Sequence, residues 1–268
     1  MNTPPRILSI AGSDSSGGAG IQADIKTIAM LGGYAMTAIT AVTAQNTKGV
    51  QGITPLEGDF VAEQVVSCLT DIGADAIKIG MLHDAGIVGA VASALEEHAQ
   101  GIPVVLDPVA VATTGDALLT GDAIEAMQIQ LFDRATLLTP NLPELELLAG
   151  RQLRDTELAR TAAAELAARH GCHVLAKGGH AEGTKVIDLL VSPEGSMASF
   201  TDERIDTRHT HGTGCTLSSA IATLLGHGQP MEHAVRIARR FVREAIEKAP
   251  GFGEGAGPLG HGAVRLQN

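Results

Sequence analysis

The stretch AIKIGMLHDAGIVGAVASALEEHAQGIPVVLDP, residues 76–108, contains one strand–helix–strand unit. Ala76–Ile79 is a short, mostly apolar run of strand length. Ile87–His98 repeats apolar residues at helical spacing, and Pro103–Leu106 is again a short apolar run that stops at Asp107-Pro108. Two strands joined by a helix form a βαβ unit, and repeating that unit builds a mainly parallel sheet.

The alternation continues in both directions. Toward the N-terminus, Ile7–Ala11 reads as a strand, Gln22–Leu31 as a helix, and Thr37–Thr43 as a strand. Phe60–Leu69 reads as a helix with Val61, Val65, Val66 and Leu69 on one face. Toward the C-terminus follow a helix over Ala117–Leu131, a strand over Ala135–Leu138, two helical patterns across Pro143–Arg169, and strands over His173–Ala176 and Val186–Val191. Helices over Thr213–Leu225 and Met231–Lys248 close the chain, the second burying Ala234, Ile237, Phe241, Val242 and Ala245. The polar, turn-rich region Ser192–Arg208 predicts a hairpin or flap. With no low-complexity linker or long charge run, the expectation is one α/β domain over 1–268, with helices on both faces of the sheet.

Composition narrows the partners. The chain has 268 residues, 44% of them apolar, and a net charge of −11 from 19 basic and 30 acidic residues. Without a basic block, with no Trp and one Tyr, it lacks the charge and stacking platforms expected of a nucleic-acid binder. No run reaches the ~18 apolar residues of a membrane span, and Met1–Ile10 carries no signal pattern, so the expectation is a cytoplasmic protein. Cys68, Cys172 and Cys215 are odd in number and widely spaced, which argues against a disulfide framework; Cys68 and Cys172 are expected to be buried thiols. His209 and His211 form an HxH pair with no third ligand at metal spacing.

Ligands of open α/β sheets bind beyond the carboxyl ends of the strands. Six predicted strands here end in polar or glycine-rich segments: Gly12–Gly20, Ala44–Thr47, Gly80-Met81, Asp107-Pro108, Thr139–Glu144 and Lys177–His180. A further turn, the glycine-rich His211-Gly212-Thr213-Gly214-Cys215, leads straight into a helix. Its free backbone N–H groups and the helix dipole make an anion site, and the same dipole is expected to lower the pKa of the Cys215 thiol. An anion hole beside a reactive thiol suggests phosphoryl or acyl transfer. No Walker loop is present: Gly18 stands where the lysine should follow Gly12 and Gly17, Gly178 and Gly183 are followed by Thr184-Lys185 in the wrong order, and neither glycine loop contains GxGxxG.

Together, GSDSSGGAGIQAD (12–24), TAQNT (43–47), KIGML (78–82), DPV (107–109), TPNLPE (139–144), KGGH (177–180) and HGTGCTLSSAIA (211–222) closely resemble the hydroxymethylpyrimidine and phosphomethylpyrimidine kinases of thiamine biosynthesis. These belong to the ribokinase-like superfamily, so the resemblance implies a three-layer sandwich. It implies that Gly212, Thr213 and Gly214 form the anion hole and that Cys215 activates the acceptor hydroxyl. It further implies that Asp24, Gln45 and Met81 hold the aminopyrimidine, with Gly12 and Val109 lining the pocket. Asn141 and Lys177 would lie near the phosphates of ATP, and Asp107 and Glu144 near Mg²⁺; the family is usually homodimeric. The chemistry agrees, because phosphoryl transfer needs alignment and charge neutralisation more than covalent help. The Gln45 amide suits the N/NH₂ edge of an aminopyrimidine, and Asp24 could pair with the ring amine.

The chain departs from the family after DPV, where Val109-Ala110-Val111-Ala112-Thr113-Thr114-Gly115 replaces a segment that commonly carries Met and Lys. The missing Lys puts the family's cationic contact from that loop in question, and Ala110 is expected to enlarge or reshape the acceptor pocket. The rival readings are a kinase for pyridoxal or related pyridine alcohols and a non-catalytic pyrimidine-binding protein on the same fold. Intact Cys215, Lys177 and the glycine turn argue against the second.

Overall fold

The computed structural model describes residues 3–110, 118–180 and 183–265. Among them, nine strands form one sheet: β1 (Arg6–Asp14), β2 (Tyr34–Asn46), β3 (Gly49–Pro55), β4 (Ala76–Ile79), β5 (Val104–Leu106), β6 (Leu137–Leu138), β7 (His173–Ala176), β8 (Lys185–Val191) and β9 (Met197–Glu203). Their order is β3-β2-β1-β4-β5-β6-β7-β8-β9. The six from β2 to β7 run parallel, while β3 at one edge and β8 and β9 at the other are antiparallel.

Both faces of the central sheet are covered, which is why β4, β5, β6 and β7 read as near-continuous apolar runs. Leu8, Ile77, Leu106, Leu138 and Val174 point to one side. There they pack with α2 (Gly58–Asp71), α3 (Ala85–His98), α4 (Ala123–Gln130), α5 (Leu142–Ala149) and α6 (Thr156–His170). Their neighbours Ile7, Ala76, Val105, Leu137 and Leu175 point to the other side, against α1 (Gly20–Met30), α7 (Thr213–Gly226) and α8 (Met231–Glu247). The period-2 alternation of strand side chains thus produces the expected three-layer sandwich. Polar punctuation sets the helix starts: Asp84 accepts from the N–H of Ile87 at 2.9 Å, and Asp155 from that of Leu158 at 2.8 Å.

Several boundaries differ from the sequence reading. Strand β3 was not anticipated: GVQGITP carries few apolar residues and pairs only with β2 at the sheet edge. That pairing extends β2 through Gln45 and Asn46, which read as loop. The helix expected over Ala117–Leu131 begins only at Ala123, after a turn in which the Thr120 hydroxyl donates to Asp122 at 2.7 Å; Ala117 lies outside the described residues, as does Val111–Gly115. Ser192–Arg208 is a hairpin, with β9 paired to β8 in full register. Cys172 is buried, whereas Cys68 in α2 is only half-buried at the edge of the core cluster.

Candidate functional site

The chain leaves β1 for β2 on one side and returns to β4 on the other. The loops after β1 and β4 therefore diverge and open a crevice at the carboxyl edge of the sheet. A cavity of about 720 Å³ fills it. Every site residue named from the sequence lines this cavity except Asp24.

The glycine turn forms one wall. Gly212 caps α7 at φ 84°, a left-handed conformation that favours glycine. A Cβ there would sit 1.9 Å from the carbonyl oxygen of Gly18, so the turn is pressed against the first glycine loop. No side chain caps α7; the Thr213 and Thr216 N–H groups donate to the carbonyls of Thr210 and Gly212, which leaves those of Gly214 and Cys215 for an anion. The Thr216 hydroxyl donates to the Gly212 carbonyl at 2.8 Å and therefore accepts from His261 Nε2, also at 2.8 Å.

His261 is 2% exposed, and its pKa falls from 6.5 to about 4 because burial, with help from the charge of Lys26, disfavours the imidazolium. The unfolded chain takes up this proton near pH 6.5 and the folded chain only near 4. The stabilisation is therefore complete above pH 6.5 and is lost as pH falls toward 4, by about 3 kcal/mol. Unfolding titrations at pH 7 and pH 4.5 should show a smaller acid loss in His261→Gln than in the wild type. Equal losses would remove His261 from the account.

Asp14 organises the first glycine loop. It accepts from the backbone N–H groups of Ser16, Gly18 and Ala19 at 2.8, 3.0 and 2.8 Å, and from His211 Nε2 at 2.8 Å. Burial alone would raise its pKa, but His211, Ser16 and these N–H groups together hold it below the ordinary carboxylate range. Neither Asp14 nor His211 was singled out by sequence reasoning as a fixing pair, since 197 residues separate them.

Across the cavity, Lys177 at the end of β7 donates to Asp107 Oδ1 at 2.8 Å and lies 4.0 Å from Glu144 Oε2. Thr139 also donates to Asp107 Oδ1, at 2.8 Å. Asn141 and Glu144 form a capping box: Asn141 Oδ1 accepts from the Glu144 N–H, and Glu144 Oε2 from the Asn141 N–H. Burial raises the Glu144 pKa to about 7, with Lys177 opposing and Asp107 adding to the rise. A Cβ on Gly214 would lie 3.3 Å from both Asp107 Oδ2 and Lys177 Nζ, so the glycine turn and this charged cluster face each other across a narrow gap.

Gln45, Met81, Gly12 and Val109 define the other end. A Cβ on Gly12 would meet Met81 Cε at 2.5 Å, so glycine is what admits the Met81 side chain. The Thr43 hydroxyl lies 3.1 Å from Gln45 Oε1, and Gln45 Nε2 lies 3.5 Å from His211 Nε2. Beyond the charged cluster, Val186, Ile205, Val242 and Ile246 give the cavity an apolar end. There Arg239 of α8 bridges Asp188 of β8 and Asp202 of β9, and Asp188 accepts from the Gly178 N–H at 2.7 Å.

Two expectations are corrected. Cys215 lines the cavity, but its pKa is raised to about 11 rather than lowered. Burial is the main cause; Asp24 and Asp107 add to it, and together they outweigh Lys78 and the Gly20 N–H. Asp24 is fully buried and does not reach the cavity. Its Oδ2 accepts from Ser9 at 2.6 Å and from Lys78 at 2.9 Å, and its Oδ1 from Ser219 at 2.6 Å, so the carboxylate is engaged inside the fold rather than turned to the cavity. Lys78 was missed, although a lysine between Ile77 and Ile79 in a buried strand signals an internal ion pair.

The sequence profile of the phosphomethylpyrimidine kinase family matches residues 14–260. A hydroxymethylpyrimidine/phosphomethylpyrimidine kinase of Streptomyces coelicolor is 47% identical over 261 residues, covering 97% of this chain and 95% of that protein. The thiamine biosynthesis multifunctional protein ThiED of Corynebacterium efficiens is 44% identical over 97% of this chain, which spans only 35% of that longer protein. Among solved structures, an ADP complex of Bacillus subtilis pyridoxal kinase superposes with a TM-score of 0.90 at 35% identity, covering 99% of this chain and 100% of that one.

Proposed function

This chain belongs to the phosphomethylpyrimidine kinase family, and from that premise we propose that it phosphorylates 4-amino-5-hydroxymethyl-2-methylpyrimidine and then converts the monophosphate to the diphosphate. The observation that carries the reading is the facing pair of uncapped glycine turn and Lys177 cluster, with the Gln45–Met81 pocket beside it. In the first step the hydroxymethyl oxygen bonds to the γ-phosphorus of ATP and the bridging bond to ADP breaks. The hydroxyl proton passes to the sulfur of Cys215. Gly212–Gly214 and Lys177 neutralise charge on the transferred group. In the second step the first product rebinds with its phosphate as acceptor. The apolar end bounded by Val186, Ile205, Val242 and Ile246 suits the adenine ring.

Two hard carboxylates, Asp107 and Glu144, fit Mg²⁺, which is commonly held by one or two carboxylates plus substrate phosphates. When bound, Mg²⁺ supplies charge neutralisation to the phosphates. The reading includes one kinase domain over 1–268, since a single sheet carries both ends of the cavity. It also includes a cytoplasmic homodimer, to which exposed Tyr34, Val42 and Phe60 offer apolar surface.

Likeness to a pyridoxal kinase makes pyridoxal the second substrate to test. Steady-state kinetics should give a higher kcat/KM for the aminopyrimidine, because the Gln45 amide matches its N/NH₂ edge. A higher value for pyridoxal would reverse the assignment.

A further inference from the structure

We propose that Lys78 is a positioning residue for phosphoryl transfer, its cation held by Asp24 beneath the cavity floor to balance the negative charge of the Cys215 thiolate. The inference rests on the kinase reading above. Lys78 is fully buried in β4, and its ammonium lies 2.9 Å from Asp24 Oδ2. A buried ion pair is a poor device for stability, because apolar side chains of similar size often serve as well. This pair is also asymmetric toward the site: Lys78 lines the cavity, whereas Asp24 does not. Space is kept for the ammonium by Gly80, where a Cβ would lie 2.7 Å from Lys78 Nζ.

Helix α7 sets the relation to Cys215. Ser219, which donates to Asp24 Oδ1 at 2.6 Å, stands four residues after Cys215 and so lies one turn below it on the same helix face. The Ser219–Asp24–Lys78 chain is thereby fixed under the thiol. The charged groups acting on Cys215 are Lys78 from β4, Asp24 from α1, Asp107 from the end of β5 and Lys177 from the end of β7. Of the charges acting on the thiol, Lys78 has the largest effect, and it favours the thiolate. Loss of the thiol proton to solvent gives the form that can accept the proton of the acceptor hydroxyl; without Lys78 that form would face Asp24 and Asp107 with less compensation.

Alkylation of Cys215 by iodoacetamide tests this without turnover, so failure here is distinct from failure of the kinase reading. The rate is followed at pH 6–9.5 by mass spectrometry of the peptide that contains Cys215. Asp24→Asn keeps one acceptor oxygen, enough for one of the two serine hydroxyls that donate to Asp24, and leaves Lys78 uncompensated; it should speed alkylation at pH 8 roughly three- to tenfold. Asp24→Asn combined with Lys78→Met leaves no unpaired buried charge. It should react roughly threefold or more below wild type, because the charge with the greater effect is gone. Cys68 in α2 and Cys172 serve as internal references, and their rates should not change. Equal Cys215 rates in the two variants would overturn the proposal. So would a uniform rise at all three thiols, which marks general loosening.

Discussion

Gly212→Ala is expected to lower phosphoryl transfer by roughly a thousandfold, on the scale of losing oxyanion-hole donors, while also lowering stability. Two physical effects act together. An alanine at φ 84° pays the left-handed penalty of roughly 1–2 kcal/mol. Its Cβ would also fall 1.9 Å from the Gly18 carbonyl, and a backbone oxygen has no rotamer by which to move away. The glycine turn and the Asp14 loop must separate, which misaligns the N–H groups at the start of α7 and stretches the His211–Asp14 contact. Gly228→Ala is the matched control: φ is 76° there, but nothing lies within 4 Å of the added carbon. It should lose stability by the backbone penalty alone and keep full turnover. Thermal unfolding and ADP release, measured on both variants, separate strain from function. Equal turnover in the two would contradict the role given to the turn.

Cys215→Ala should lower turnover by roughly 10²–10⁴-fold, the range for loss of a general base. The raised thiol pKa adds a sharper expectation. With the thiol at about 11, the thiolate is scarce near neutrality, so wild-type kcat should climb with pH throughout the range below that value. Removing the sulfur should flatten the climb as well as lower the rate. A variant that keeps the wild-type rate and slope would show that the acceptor proton leaves by another route, consistent with a loose transition state that demands little from a base.

The architecture was legible because burial on both faces imprints itself locally. Pairs such as Ile7/Leu8 and Val104/Val105 feed opposite layers, producing apolar runs of strand length between helical repeats. The edge was not legible: Gly49–Pro55 is held by backbone pairing to β2, and its composition carries no apolar alternation. The same logic divides the site. Residues at strand ends, such as Asp107, Asn141 and Lys177, could be found because position along the chain predicts their place at the sheet edge. Asp24 could not, since its partners Lys78 and Ser219 lie 54 and 195 residues away and determine that its carboxylate faces inward. The Cys215 thiol was misjudged for a related reason. A helix start is a local feature that lowers a thiol pKa, but enclosure and two carboxylates brought by other elements act in the opposite sense and win.

One incubation tests the kinase assignment itself. The purified chain, ATP, Mg²⁺ and 4-amino-5-hydroxymethyl-2-methylpyrimidine are combined, and products are resolved by mass over time. The account predicts the pyrimidine monophosphate first and the diphosphate after it, with one ADP released for each phosphoryl group transferred. ATP left intact, with neither pyrimidine phosphate formed from the alcohol nor from added monophosphate, would contradict it.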